Sequence, residues 1–234
     1  MQVTMAVAKV PKFGLSESGD SVEIVERPRG GITAILADGQ THGRAAKRVS
    51  QIVVAKAVQL IADGVRDGAV ARGVHDYLFA LRDGKVSTEL VMISVDTRTK
   101  SLVIARNTHV PVLLRHADGR VERLVEAVEP IGIREVMKPL ITEVPLQGGL
   151  MVVAFTDGIY SAGRRYDTEM TLDNLVARVE KSAPNQAQGL ADSILAEAMR
   201  LDRDRPGDDM SVLVAGLTAA GGNQARRMTV TMPF

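Results

Sequence analysis

Residues 32–62 of the chain read ITAILADGQTHGRAAKRVSQIVVAKAVQLIA. The first six letters form a short apolar run, which is typical of a buried strand, and the run stops abruptly at Asp38-Gly39. From about residue 43 to residue 62 the apolar residues recur at a spacing near three and four, which predicts an amphipathic helix. A carboxylate at the end of such a strand would be held rigidly where the core meets solvent. We expect the glycine to let the backbone turn sharply with its carbonyl exposed.

Strands and helices follow in blocks on both sides of this stretch. Apolar patterns predict strands at residues 3–9, 21–26, 32–37, 89–96, 100–106, 110–115, 138–145, 150–156, 210–217 and 228–232, and helices at 43–62, 69–82, 172–182 and 185–200. Residues 27–31 predict a hairpin turn, and the short turns within 89–115 predict antiparallel neighbours. Because strands and helices do not alternate one for one, a doubly wound parallel sheet is disfavoured. We predict a layered α+β fold in one domain, residues 1–234.

Composition excludes several classes of protein. The chain has 234 residues and a net charge of +1, and it shows no basic tail or stripe, so nucleic acid is not expected as a partner. Cysteine is absent, which excludes disulfides, zinc-thiolate sites and thiol catalysis. The N-terminus does not resemble a signal peptide, and no apolar run approaches the roughly 18 residues of a membrane span. We therefore expect a cytoplasmic protein that does not bind membranes.

A second strand also ends on Asp-Gly, in the segment VVAFTDG of residues 152–158. This dipeptide occurs six times in the chain, and four of the six are interpreted as helix ends or turns. Asp38 and Asp157 differ from those four because each follows a predicted buried strand. Spacing alone does not decide between a turn and a ligand role for these two residues.

Two further acidic segments precede strands. If residues 21–26 and 32–37 form a hairpin, Asp20 and Asp38 lie near the same end of the sheet. Asp208 and Asp209 directly precede the strand at 210–217, although on their own they would be interpreted as a solvated turn. Clustered carboxylates repel one another unless cations compensate them, and hard oxygen ligands select Mg²⁺ or Mn²⁺. Two such ions can share a carboxylate and activate a water, which suits hydrolysis of a phosphate ester.

At this point the motifs resemble a known family, the PPM-type (type 2C) metal-dependent serine/threonine protein phosphatases. The resemblance is greatest to the bacterial branch that dephosphorylates anti-anti-sigma factors in sporulation and stress signalling. It covers about residues 15–217, with the motifs in the family's order. The segments that carry it are SGDS at 18–21, ADGQTHG at 37–43, NTHVPVLL at 107–114, PIGI at 130–133, FTDG at 155–158 and GDDMSV at 207–212.

The resemblance implies a four-layer αββα sandwich with two Mn²⁺ or Mg²⁺ ions at one end of the sheets. Asp38 would bridge both ions and position the attacking water, and the Gly39 carbonyl would coordinate one of them. Asp157 and Asp208 would hold the first ion and Asp20 the second. The aligned position of Asp209 is often Asn in the wider family, which places Asp209 behind the ligands. The substrate would be a phosphorylated protein.

Some residues depart from the family pattern or leave alternatives open. Thr41 stands where the bacterial branch usually has Gly, and residues 13–17 contain no phosphate-binding Arg. His42 is a candidate general acid, although a histidine in such a loop more often makes a solvent or backbone contact at the start of a helix. His109 and His75 are interpreted as structural.

Three functions are therefore weighed. The first is a stand-alone protein phosphatase, regulated through partner proteins, substrate supply or metal occupancy. The second is a catalytically silent binding module of the same fold, and the third is a phosphoesterase for a non-protein substrate. The oligomeric state is left open.

Overall fold

The computed structural model describes residues 1–28, 30–40, 43–219 and 225–232. The strands are β1 Gln2–Val10, β2 Ser21–Glu26, β3 Gly31–Gly39, β4 Thr88–Asp96, β5 Ser101–Asn107, β6 Val112–Arg115, β7 Val121–Leu124, β8 Leu140–Pro145, β9 Met151–Phe155 and β10 Met210–Thr218. The α-helices are α1 Gly43–Ala62, α2 Asp67–Arg82, α3 Asp157–Tyr160, α4 Leu172–Lys181 and α5 Ala187–Leu201. Short 3₁₀ turns lie at Arg164–Tyr166 and Pro184–Gln186.

The strands form two antiparallel five-stranded sheets. The first sheet has the order β1-β10-β9-β6-β7, and the second has the order β2-β3-β4-β5-β8. In the second sheet β2, β3, β4 and β5 follow one another as a meander, whereas the first sheet pairs β1 with β10 from opposite ends of the chain. The fold is thus a sandwich of two sheets.

Three apolar layers hold the sandwich together. One lies between the sheets, a second between the second sheet and helices α1 and α2, and a third between the first sheet and helices α4 and α5. Strand β3 shows why: Leu36 packs between the sheets, while its neighbour Ile35 packs against the helices. Because β3 is buried on both faces, residues 32–37 appear as a continuous apolar run rather than an alternating one. The predicted αββα sandwich is confirmed.

Three local expectations were wrong. The strands predicted at 100–106 and 110–115 do not pair, because the chain between β5 and β6 crosses from the second sheet to the first. Strand β7, with the sequence VERL, was not expected because two of its four residues are charged. Residues 228–232 form no strand, and their side chains are exposed, so nothing buries the apolar residues of that segment. None of the helices in the described ranges combines the length and apolar character needed to cross a membrane.

Candidate metal centre

Four of the predicted ligand residues lie at one end of the sandwich. Asp20 leads into β2 and Asp38 lies at the end of β3, and the two strands are antiparallel neighbours. Asp157 begins α3 directly after β9, and Asp208 precedes β10, the neighbour of β9. The two sheets bring these pairs close together. The charges of Asp20, Asp157 and Asp208 therefore all raise the pKa of Asp38.

Asp20 is the most enclosed of the four, with none of its surface exposed. Its Oδ2 atom accepts hydrogen bonds from the Ser211 hydroxyl at 2.6 Å and the Thr156 hydroxyl at 3.1 Å. Both donors belong to the first sheet or its immediate end, whereas Asp20 leads into the second sheet, so this carboxylate joins the sheets. Its other oxygen, Oδ1, is buried and has no hydrogen-bond partner among the described residues.

The pKa values of Asp20, Asp38 and Asp157 are raised. Burial is the main cause of the increase for Asp38, whose pKa lies well above the ordinary value, and the neighbouring negative charges add to it. Burial also raises the pKa of Asp20 to about 6, although the Ser211 hydrogen bond opposes the shift. Asp157 keeps an exposed edge, and desolvation of the rest of its carboxyl group, with the charge of Asp208, raises its pKa to about 6. Burial and mutual repulsion therefore oppose full ionisation of the cluster.

These features fit a divalent cation. A buried carboxylate oxygen without a donor is costly, and a metal ion is one of the few partners that would satisfy it. The donors are carboxylate oxygens, which suit Mg²⁺ or Mn²⁺. Within the described residues, no three Asp, Glu or His side chains are already arranged so that they could hold one metal ion. A bound cation would attract these carboxylates.

The two glycines of the Asp-Gly steps allow close packing. Neither Gly39 nor Gly158 has a positive φ, so neither adopts the left-handed conformation that favours glycine. A Cβ atom on Gly39 would lie 2.3 Å from the carbonyl oxygen of Ala46 in α1, and one on Gly158 would lie 2.1 Å from the carbonyl oxygen of Asp209. Glycine is needed at both positions because backbone meets backbone there.

Asp209 lies beside the cluster, but both of its carboxylate oxygens are engaged. Its Oδ1 atom accepts from the Lys12 N–H at 3.0 Å and its Oδ2 atom from the Gly19 N–H at 2.8 Å. These bonds fix the loop that carries Asp20. Because both oxygens already accept from backbone N–H groups, these contacts support the prediction that Asp209 lies behind the metal ligands, which stays a prediction. His42 and Thr41 lie outside the described residues.

Two lysines that the sequence analysis did not predict at the site contact the backbone of Asp20. The Lys9 and Lys47 ammonium groups donate to the Asp20 backbone carbonyl at 3.0 Å and 2.8 Å. Burial and the nearby Lys47 charge lower the pKa of Lys9. Lysines at positions 9 and 47 meet only through the tertiary fold, so no local sequence signal would have identified them.

Glu89 is a further missed residue. It lies directly opposite Asp38 in the pairing of β3 with β4, and its charge also contributes to the raised pKa of Asp38. Its carboxylate accepts from the Thr108 hydroxyl at 2.5 Å, the His109 N–H at 3.0 Å and His109 Nδ1 at 3.2 Å. The signal was available in principle, because a glutamate at the start of a predicted strand neighbours Asp38 once the strand register is known.

Known proteins support the same architecture. A family model described as Stage II sporulation protein E (SpoIIE) matches residues 28–218. Stage II sporulation protein E of Priestia megaterium is 21% identical over 216 residues, which are 92% of this chain and 36% of that protein. The Bacillus subtilis (strain 168) protein is 22% identical over 214 residues, covering 91% of this chain and 25% of its own length. The chain therefore spans only about a third or less of these relatives.

Solved structures agree on the fold. The PP2C phosphatase domain of SpoIIE from Bacillus subtilis, solved with a fragment of its regulatory domain, superposes with a TM-score of 0.80 at 20% identity, over 93% of this chain and 64% of that one. The SiaA-PP2C domain of Pseudomonas aeruginosa gives 0.75 at 20% identity, over 91% and 85%. RsbX in complex with magnesium gives 0.68 at 14% identity, over 92% and 96%. The resemblance deduced from the motifs is confirmed, and the chain belongs to the Stage II sporulation protein E family and has the PP2C phosphatase fold.

Proposed function

We propose that this chain is a metal-dependent phosphatase that hydrolyses phosphoserine or phosphothreonine in a signalling protein, and that it acts in the cytoplasm. The family and fold, which are those of PP2C phosphatases, support this proposal. An anti-anti-sigma factor is the substrate that the resemblance to the sporulation and stress-signalling branch implies. The observation that carries the proposal is the buried Oδ1 atom of Asp20, which has no hydrogen-bond partner among the described residues and lies within a group of carboxylates.

The residues would divide the work as follows. Asp38 would be shared between two Mg²⁺ or Mn²⁺ ions. The charges of Asp20, Asp157 and Asp208 all raise its pKa. Asp157, Asp208 and the Gly39 carbonyl would complete one set of ligands, and Asp20 would serve the other. When bound, the ions would supply Lewis acidity that activates water and stabilises charge on the phosphoryl oxygens.

The surrounding residues hold this set in place. Ser211 and Thr156 orient the Asp20 carboxylate, and Asp209 fixes the preceding loop. Outer hydrogen bonds of this kind keep ligands in the geometry that a metal ion requires. The apolar layers on both sides of β3 keep its end from moving.

The test compares the purified chain with two matched variants, each given Mn²⁺, an aryl phosphate and a phosphoserine peptide. Asp38→Asn changes the proposed shared ligand, and Asp63→Asn changes an exposed Asp-Gly step at the end of α1. We expect metal-dependent turnover by the wild type, a loss of about 100- to 1000-fold in Asp38→Asn and less than about a twofold change in Asp63→Asn.

Other outcomes would redirect the assignment. Equal turnover by wild type and Asp38→Asn would contradict the proposed enzyme. Tight binding of a phosphoprotein without turnover would favour the silent binding module. Turnover of the aryl phosphate alone would favour a non-protein substrate.

A further inference from the structure

The proposed reaction needs a proton donor that the carboxylate ligands do not provide. Cleavage of a phosphoserine ester leaves its electron pair on the seryl oxygen, and that oxygen is a poor leaving group unless it is protonated. Carboxylates that hold metal ions are deprotonated, so they are unsuited to this role. The ammonium groups of Lys9 and Lys47 are turned to the Asp20 backbone carbonyl.

A histidine lies where the chain crosses between the sheets at this end of the sandwich. Residues 108–111 connect the end of β5 to the start of β6. The end of β5 pairs with the start of β4, where Asn107 lies opposite Leu90. Through its Nδ1 atom, His109 contacts Glu89, the residue opposite Asp38 in the strand pairing. His109 is thus connected to the candidate metal centre through one intervening side chain.

Glu89 is arranged as a support for this imidazole rather than as a metal ligand. The Thr108 hydroxyl occupies its Oε2 atom at 2.5 Å, and its Oε1 atom accepts from both the backbone N–H and Nδ1 of His109. Because a carboxylate accepts, Nδ1 must carry the shared hydrogen. A carboxylate that holds one ring nitrogen in this way fixes the tautomer and the orientation of the ring.

The other ring nitrogen is available for chemistry. The His109 side chain is 55% exposed, and Nε2 forms no hydrogen bond within the described residues. The acidic group in contact with the ring is Glu89 from β4, and the segment whose Val128 N–H donates to the Thr108 carbonyl also carries Glu126 and Glu129.

We propose that His109, oriented by Glu89, donates the proton to the leaving seryl or threonyl oxygen. The inference rests on the proposed phosphatase function. The phosphorus–oxygen ester bond breaks and its electron pair passes to the seryl oxygen, which takes the proton from His109 Nε2. Water contributes its oxygen and one hydrogen to the released phosphate. Its second proton goes to solvent, from which the imidazole is protonated again, so charge and atoms balance.

The test uses two substrates that differ in their need for a proton. Nitrophenolate leaves readily without protonation, whereas a seryl alkoxide does not. We expect His109→Gln to lower kcat for a phosphoserine peptide by about 100- to 10,000-fold, and to lower kcat for nitrophenyl phosphate at least about tenfold less. The alkaline limb of the wild-type pH profile for the peptide should disappear in the variant. Added imidazole should partly restore peptide hydrolysis by His109→Ala.

Matched variants separate this role from a structural one. His116 also contacts a glutamate, Glu122 at 2.8 Å, but it follows the opposite end of β6, so His116→Gln should leave the ratio of the two activities unchanged. Glu89→Gln keeps an acceptor for Nδ1 and should give a smaller loss than His109→Gln. Mn²⁺ affinity, measured by calorimetry, should stay within about threefold of wild type in His109→Gln.

The outcomes distinguish this inference from the proposed function. Equal losses on both substrates, no loss on either, or a tenfold weaker Mn²⁺ affinity in His109→Gln would overturn the role of His109 while the phosphatase assignment stands. A wild type that hydrolyses neither substrate with Mn²⁺ would overturn both.

Discussion

Strand β3 has a polar cluster at each end, and the two clusters are built differently. At its start, the Arg27 guanidinium donates to Asp67 at 3.1 Å, to Thr33 at 3.0 Å and to Ser94 at 3.2 Å, and Ser94 also donates to Asp67. At its end, the carboxylates of Asp20, Asp157, Asp208 and Glu89 act on Asp38, and among the described residues no arginine forms an ion pair with it. Asp67 and Asp38 are both followed by glycine, so the dipeptide itself is the same.

The difference lies in the origin of the balancing charge. Asp67 finds its cation within the chain, and its role is to tie α2 to the sheet. The charged groups that act on Asp38 are acidic, and they add to burial, the main cause of its raised pKa. A buried carboxylate whose counter-charge is supplied by the fold indicates structure, whereas one without a counter-charge indicates a ligand from outside.

The largest expected effect comes from breaking the cluster at the start of β3. Arg27→Met would leave the buried Asp67 carboxylate without its cation, and we expect the free energy of unfolding to fall by about 3–5 kcal/mol. Urea unfolding measures this loss, with Arg98→Met, an exposed arginine of the same region, as the control. A loss no greater than that of the control would show that the pair is not structural.

The second prediction concerns pH and metal. The folded-state pKa values of Asp20 and Asp157 are raised to about 6, so the folded chain binds these protons more tightly than the unfolded chain does. The stability that these groups contribute is present at acidic pH and is lost as the pH rises from about 4 through 6. At neutral pH, Mg²⁺ at about 100 times its Kd should restore about 2.7 kcal/mol.

Thermal unfolding with chelator or with Mg²⁺, between pH 4.5 and pH 7.5, tests this expectation. The decrease in stability with rising pH should be smaller in Asp38→Asn, because that variant removes one of the repelling charges. If the metal-free wild type and Asp38→Asn had the same stability at every pH, the proposed charge cluster would be contradicted.

The third prediction is that one substitution has opposite effects at the two ends of β3. Asp67→Asn weakens a charged hydrogen bond to Arg27 and should destabilise the metal-free protein by about 2 kcal/mol. Asp38→Asn relieves repulsion and should stabilise the metal-free protein. Parallel urea titrations in chelator measure both variants, and the same sign for both would remove the distinction between the clusters.

The smallest effect concerns the donors to Asp20. Ser211→Ala removes the 2.6 Å hydrogen bond to its Oδ2 atom. We expect Mn²⁺ affinity to fall about tenfold, which corresponds to about 1.4 kcal/mol, because the ligand loses part of its orientation. Calorimetric titration measures the change. Ser101→Ala, at the far end of β5, serves as the control, and equal affinities in the two variants would argue against this role for Ser211.

Much of the fold was predictable because it depends on local patterns. Strands such as β3 and β9 are buried on both faces, so each appears as an apolar run that ends at a defined residue. The crossing at residues 108–111 was not predictable, because a short turn between two strands has the same sequence pattern whether the strands pair or separate into two sheets. Strand β7 was not predicted because two of its four residues, Glu122 and Arg123, are charged and give no clear apolar pattern.

The candidate site divides in the same way. Asp38 and Asp157 could be identified because each terminates a strand, a property visible along the chain. Glu89 could not, because its importance depends on which residue of β4 faces Asp38. The histidine that we interpreted as structural, His109, gains a role only through that same contact.

The pairing of β1 with β10 has a consequence for how the protein is made. Ser21 pairs with Ala37 within one hairpin, whereas Ala6 pairs with Val214, roughly 200 residues further along the chain. Closing the longer loop costs about 2 kcal/mol more in chain entropy, and it must wait until nearly the whole domain has left the ribosome. The meander of the second sheet is therefore expected to assemble during synthesis. The first sheet, and with it the link from Asp20 to Ser211, would form last.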